Sequence, residues 1–292
     1  MMKSLFHLVS RNNKIYRRDR TLVFLSLLSV FIVIILYAVF LQQTQVDAIQ
    51  EMIGKSKAIK NMVNEWMVAG LLSITAVTTT LGAFGIMIQD KESKKTHDFL
   101  TTPLSRATIQ LSYVINAFVI GLFFSLLAFV GCELFLVLSG SEILSGIVIL
   151  KVIGIIILSV ALSSSINLFL VLFIKTQSAA STLNTIVGTV IGFLCGVYVP
   201  IGSFPNFVQN IIMYFPISHT AVLLRDAFMT DSIQTVFKNA TPEQILEYKK
   251  QLGIVYEMND KLVSTTNHLW IILITTIVFT VVSIMIFKKQ NK

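Results

Sequence analysis

Six uninterrupted apolar runs divide the chain, at Thr21–Leu41, Trp66–Ile88, Val114–Leu138, Ile147–Ile174, Ser181–Pro200 and Leu269–Phe287. An α-helix needs roughly 20 apolar residues to cross bilayer hydrocarbon, and each run meets or approaches that length. Only helices and closed barrels satisfy their backbone polar groups in lipid. The runs are continuous rather than alternating, so they read as helices. The pattern predicts an all-α polytopic membrane protein with six transmembrane helices. All 292 residues then belong to one membrane domain, with no length left for a second large soluble one.

The segments between the runs carry their own patterns. In the N-terminal arm, residues 1–20, Leu5, Leu8 and Val9 share a helical face opposite basic residues. This predicts an amphipathic helix lying at the membrane interface. Residues 42–65 read as a polar outer loop, in part helical through Asp47, Glu51 and Lys55 at i, i+4 spacing. Residues 201–268 form a long outer segment. Within it Phe204, Phe207, Val208, Ile211, Ile212 and Phe215 make one apolar face bracketed by Pro205 and Pro216. Such a stretch is too short to cross, which predicts a short re-entrant or interfacial helix. A second short helix, Thr220–Met229, carries Arg225 and Asp226. Thr241-Pro242-Glu243-Gln244 is a capping-box start and Gly253 a stop, which places a solvent-facing helix over Pro242–Leu252.

Charge supplies the orientation. Only 13% of residues are charged and the mean hydropathy is +0.78, whereas soluble domains are about 25% charged. The net charge of +8 is divided by side rather than clustered as a nucleic-acid footprint, so no nucleic-acid partner is expected. The arm, the segment 89–106, Lys175 and the C-terminal tail together hold 14 basic and 4 acidic residues; the remainder of the chain holds 9 basic and 11 acidic. Basic flanks stay cytoplasmic, which places both termini and the segment 89–106 inside. Cys132 and Cys195 fall within runs, so no disulfide framework is expected. The first run is too long for a cleaved signal peptide and is read as a retained span.

Catalytic signals are poor. His7, His97, His219 and His268 are isolated in the sequence and lack metal-ligand spacing. Gly54-Lys55-Ser56 lacks the earlier glycine of a phosphate-binding loop, Ile49 standing there. No catalytic, metal or cofactor site is therefore expected in this chain. Two features lie inside the apolar runs. Gly188, Gly192 and Gly196 stand at i, i+4 and i+8, a spacing that lets helices pack closely, within a subunit or at a dimer seam. Glu133 and Lys151 lie at similar depth near the outer ends of the third and fourth runs, and an ion pair between them is expected because a lone charge there is costly. Thr75, Thr78, Thr79 and Thr80, and Ser163, Ser164, Ser165 and Asn167, either line a hydrated path or bond their own helices.

The segment Lys91-Glu92-Ser93-Lys94-Lys95-Thr96-His97-Asp98-Phe99-Leu100-Thr101-Thr102-Pro103-Leu104-Ser105-Arg106 resembles the cytoplasmic loop of type-2 ABC exporter permeases. Glu92, Thr96, Asp98, Leu100, Pro103, Ser105 and Arg106 match that pattern; Lys95 replaces a Gly, and Asp98 is shorter than the usual Glu. Val199-Pro200-Ile201 with Phe204-Pro205, Phe215-Pro216 and Leu224-Arg225-Asp226 is similar to the run after the family's fifth span, where two short outer helices re-enter. Arg17-Arg18-Asp19-Arg20 stands where the family has a basic cluster before its first span. The resemblance implies a permease in the bacterial plasma membrane. It would be paired with an identical or related chain and bound to two cytoplasmic ABC ATPase subunits that hold the ATP and Mg. It further implies that Glu92, Thr96, Asp98, Pro103 and Arg106, with Arg17 and Arg18 beside them, meet the ATPase. It implies that Pro205, Phe215, Pro216 and Arg225 belong to the re-entrant helices. The cargo class is amphipathic: a drug, an antimicrobial peptide, a lipid or a lipid-linked glycan. A different class is open as well, a membrane sensor or immunity protein that binds an extracellular peptide without moving it. A cysteine at Lys94 is expected to react with an impermeant maleimide only after cells are opened. Labelling of intact cells would place the segment outside and remove the ATPase contact.

Overall fold

The computed structural model describes residues 2–290 except 22, 25–27, 29–31, 33, 36, 38–41, 54–55 and 259–260. The first apolar run, Thr21–Leu41, lies largely outside the described residues. The described helices are α1 (Met2–Arg18), α2 (Gln42–Ile53), α3 (Lys57–Ala83), α4 (Gly85–Glu92), α5 (Lys95–Leu100) and α6 (Arg106–Leu138). There follow α7 (Gly146–Val171), α8 (Gln177–Leu194), α9 (Asn206–Tyr214), α10 (Ser218–Val236), α11 (Pro242–Gln251) and α12 (Thr265–Gln290). The strands β1 (Glu257–Met258) and β2 (Lys261–Leu262) form an antiparallel hairpin before α12.

Polar caps set where the long helices begin. Ser56, Ser105, Ser145 and Thr176 each accept a backbone N–H of the first turn of α3, α6, α7 and α8, the preferred N-cap chemistry. These caps lie in polar sequence, so α3 starts nine residues before the second apolar run and α6 eight residues before the third. The expected loop over 42–65 is correspondingly mostly helix, in α2 and the start of α3. Among the described residues, four helical stretches are long and apolar enough to cross a membrane: Ala58–Glu92, Arg106–Leu138, Gly146–Val171 and Thr265–Lys289. The pair α9 and α10 is long and apolar enough only when the two are taken together, and they are bent by 89°. Pro216, which has no N–H to continue a helix, lies in the break. The predicted second short helix, Thr220–Met229, is in fact the middle of the longer α10.

Helix α3 is the hub. Of its most apolar window 83% is buried, against 11% for α12, and it packs on α6, α7, α8 and α10. Its Thr75, Thr78, Thr79 and Thr80 hydroxyls donate to carbonyls four residues back, so they serve their own helix. Asn167 crosses from α7 to Val77 O at 2.9 Å and to Thr80 Oγ1 at 2.8 Å.

Beyond α8 the chain turns sharply. Gly196 has φ +61°, Val197 N–H donates to Gly192 O, and Gly196 N–H donates to Phe193 O, the paired bonds of a Schellman cap. The expected stack of Gly188, Gly192 and Gly196 on one helix face is therefore not present, because Gly196 ends the helix rather than extending it. Gly192 instead lies under the Tyr198 ring, and Gly188 faces open space. Gly253 closes α11 in the same way, with φ +65°.

Fully buried Arg225 of α10 gathers these two ends. It donates to Cys195 O at 2.6 Å, Gly196 O at 2.8 Å and Gly253 O at 3.3 Å, and its guanidinium lies 5.2 Å from the Trp66 ring centroid. Helix C-termini carry partial negative charge, so two of them together solvate a cation without a carboxylate.

Gly196→Ala and Gly253→Ala are expected to lower the thermal unfolding midpoint of the detergent-solubilised protein. Each puts a Cβ on a left-handed residue, at about 1–2 kcal/mol, and against Ile201. Gly188→Ala, with no atom within 4 Å of the new carbon, is expected to leave the midpoint unchanged. Equal shifts in all three would contradict the cap assignment.

Candidate functional site

The segment 89–106 is a folded elbow rather than a loop. α4 carries the axis of α3 on through Glu92; Lys94 turns the chain at φ 60°; α5 fills Lys95–Leu100; Ser105 then starts α6. Two short helices are thus held between the two longest helices of the bundle.

Asp90 fixes this elbow to the N-terminal arm. It is 1% exposed at the end of an apolar stretch and accepts from both guanidinium nitrogens of Arg11, the Nη2 contact at 2.8 Å. The Tyr113 hydroxyl of α6 donates to the same carboxylate at 2.7 Å. Bidentate Arg–carboxylate bonding is strong and directional, and the hydrogen bond to Asp90 holds the Arg11 pKa above its ordinary value. Asn12 donates to Ser112 Oγ at 3.3 Å, and the Arg11 guanidinium lies 5.2 Å from the Phe99 ring centroid. Residues of α1, α4 and α6 therefore meet at one carboxylate, and Phe99 of α5 lies against its Arg11 partner.

The next two residues grip the turn between α7 and α8. Lys91 Nζ donates to Val171 O at 3.2 Å and Leu172 O at 3.3 Å, the C-terminal carbonyls of α7. Glu92 Oε2 accepts from Gln177 N–H, the first residue of α8, at 3.2 Å. A cation thus meets a helix C-terminus and an anion a helix N-terminus, each the stabilising sign. Gln177 Nε2 also donates to Gly85 O at 3.0 Å.

The sequence-derived contact residues divide between these bonds and the surface. Glu92 is bonded to α8, and Thr96 is buried. Asp98 and Pro103 are exposed with Lys94, Lys95, Thr101 and Thr102, forming the outward face of the elbow; Arg106, first in α6, is half-buried. Arg17 and Arg18 end α1 as exposed cations. Sequence reasoning did not single out Arg11, Asp90 or Tyr113. Their only signal was an acid closing an apolar run, with no indication of which cation would reach it.

At the opposite end the expected Glu133–Lys151 pair is not formed. Glu133 Oε1 accepts from Leu144 N–H at 2.8 Å, closing the α6–α7 turn, and Lys151 pairs with Asp226 of α10 at 2.9 Å. Similar depth did not imply the same side of their helices. His219 and His268, isolated in sequence, meet with their Nδ1 atoms 2.6 Å apart. Pro205 precedes α9, whose Phe207 and Ile211 are exposed while Ile212 is buried; Phe215 and Pro216 occupy the bend before α10, and Arg225 holds α10 to the ends of α8 and α11.

Comparison with protein families gives a match over residues 3–229 to the family described as ABC-2 type transporter. Comparison with curated proteins gives no match.

Asp90→Asn and Arg11→Gln are each expected to destabilise the protein, and the double variant by less than their sum. The coupling should be about 1.5–3 kcal/mol, the range for hydrogen bonds to charged groups. Unfolding of the three variants in detergent measures it; strict additivity would show that the pair does not hold α1.

Proposed function

The chain belongs to the ABC-2 type transporter family, and from that premise we propose that it is the permease of an ATP-driven exporter. It is a multi-pass membrane subunit of an ABC transporter, a family that works with an ABC ATPase. In this reading six helices cross the bacterial plasma membrane with both termini inside, the run Thr21–Leu41 supplying the first span and α8 the fifth. All of residues 1–292 form one permease domain. The chain carries no nucleotide site of its own; ATP and Mg are bound by two ATPase subunits docked beneath the elbow. The re-entrant pair α9 and α10 and the rest of the segment 201–268 lie outside.

The elbow is the observation that supports this reading. Its outward face, made by Ser93, Lys94, Lys95, Asp98 and the turn 101–103, is short, charged and exposed, while its inner face is bonded to four other elements. Asp90 ties it to α1 and α6, and Lys91 and Glu92 tie it to α7 and α8. A push on the exposed face reaches four helices through polar bonds rather than through loop slack. ATP that binds one arrangement of the docked ATPases better than the other then shifts the helices between an inward-loading and an outward-releasing state. The partner permease, identical or related, is placed against α8. There Ile186, Val190 and Phe193 are exposed beside the open face of Gly188. An amphipathic cargo suits a conduit bounded by apolar helices.

Reconstitution with the ATPase tests this. A cargo from an amphipathic panel should stimulate ATP hydrolysis and be transported. Glu92→Ala, which frees the N-terminus of α8, and Arg106→Ala should leave membrane insertion and ATP hydrolysis intact but reduce transport at least about tenfold, as for loss of roughly 1.4 kcal/mol of coupling. Undiminished transport in both variants would remove the coupling role; absence of stimulation and transport across the panel would count against export.

A further inference from the structure

A cavity of about 480 Å³ lies where the C-terminal half of α1 leans on the middle of α6. Tyr16, Val23, Val119, Ile120, Phe123 and Phe124 line it, with Asn13 and Arg17 as its polar members. Its floor is fixed, because Tyr16 is buried and meets Phe124 edge-on at 6.0 Å between ring centroids. Its outer wall faces away from the bundle: Val119 is 44% and Phe123 61% exposed, on a helix apolar enough to cross the membrane. Among the described residues the groove is open on its lipid-facing side.

Its depth and charge indicate what fills it. The α6 side of the cavity runs from Val119 to Phe124, about 7.5 Å at 1.5 Å per residue. That is about half the hydrocarbon depth of one leaflet. At the α1 end, Lys14, Arg17, Arg18 and Arg20 are exposed, and Arg17 is in no ion pair among the described residues. Asp19, the one acid of this stretch, lines a different cavity, with Gly82, Ile86 and Gln177.

An apolar groove that takes the upper part of an acyl chain, with a cation and an amide in its wall, matches a diacyl lipid with a negatively charged headgroup. The chain would lie on Val119 and Phe123, and the phosphate would meet the Arg17 guanidinium and the Asn13 amide. A zwitterionic lipid would bring its own cation to the same basic cluster. We infer that this groove binds a single anionic phospholipid from the leaflet next to α1. The inference rests on the chain spanning a bilayer and is independent of cargo and direction of transport. Because α1 also carries Arg11 to Asp90, lipid in the groove holds the arm in the position from which it touches the elbow.

The test uses the full chain, delipidated in detergent and titrated with dioleoyl phosphatidylglycerol or dioleoyl phosphatidylcholine, with retained lipid counted by native mass spectrometry. The wild type should retain phosphatidylglycerol in preference. Arg17→Gln should weaken phosphatidylglycerol about fivefold, the effect of one basic residue at an anionic headgroup, and leave phosphatidylcholine unchanged. Val119→Trp, which fills the groove from the lipid side without altering charge, should abolish the preference. Equal retention of the two lipids by the wild type overturns the site, as does undiminished phosphatidylglycerol retention in either variant. Neither readout involves ATP or transport, so a failure here is distinct from a failure of the exporter reading.

Discussion

A carboxylate removed from water has to be met by opposite charge or by donors, and Asp90 meets that requirement from three directions. Arg11 reaches it from the N-terminal arm and Tyr113 from α6, while Asp90 itself extends the hub helix. The position of the arm against the elbow and against α6 is a consequence of satisfying one buried charge. A purely apolar contact between these elements could slide; a bidentate ion pair fixes orientation as well as distance. The cost of an unpaired charge is why the arm cannot leave without disturbing the elbow.

Backbone polarity repeats this logic at both ends of the bundle. At one end Lys91 and Glu92 answer the opposite dipoles of α7 and α8. At the other, Arg225 is solvated by the carbonyl ends of α8 and α11. Helix α8 is therefore held at its N-terminus by an anion and at its C-terminus by a cation, while its long sides are mostly exposed. It is fastened at its tips and free along its length, which suits a helix whose flank is left for another chain.

The helices over the second to sixth apolar runs were legible in the sequence because long apolar runs need no tertiary information. The capping box at Thr241 and the stop at Gly253 were legible because caps are local chemistry. What failed depended on azimuth or on distant partners. Glu133 and Lys151 share a depth but not a side, which a linear pattern cannot distinguish. Gly196 reads equally as the third step of a packing ridge or as a helix stop; Pro200 shortly after it was the clue to the second. The outward face of the elbow could be read from a resemblance in its motif. Asp90, Arg11 and the carbonyl cage around Arg225 could not, because their partners lie far away in the chain or are backbone atoms that no residue type announces.

The paired grip of Lys91 and Glu92 has a consequence for how relatives of this protein can vary. Two helix ends held by adjacent side chains, at Lys91 Nζ and Glu92 Oε2, are tied to one short stretch of α4. Insertions or deletions in residues 172–176 would break one bond or the other, whereas the exposed turn 101–104 has no such tether. Length should be invariant in the first turn among homologues that retain the Lys-Glu dipeptide, and drift only where that dipeptide is lost.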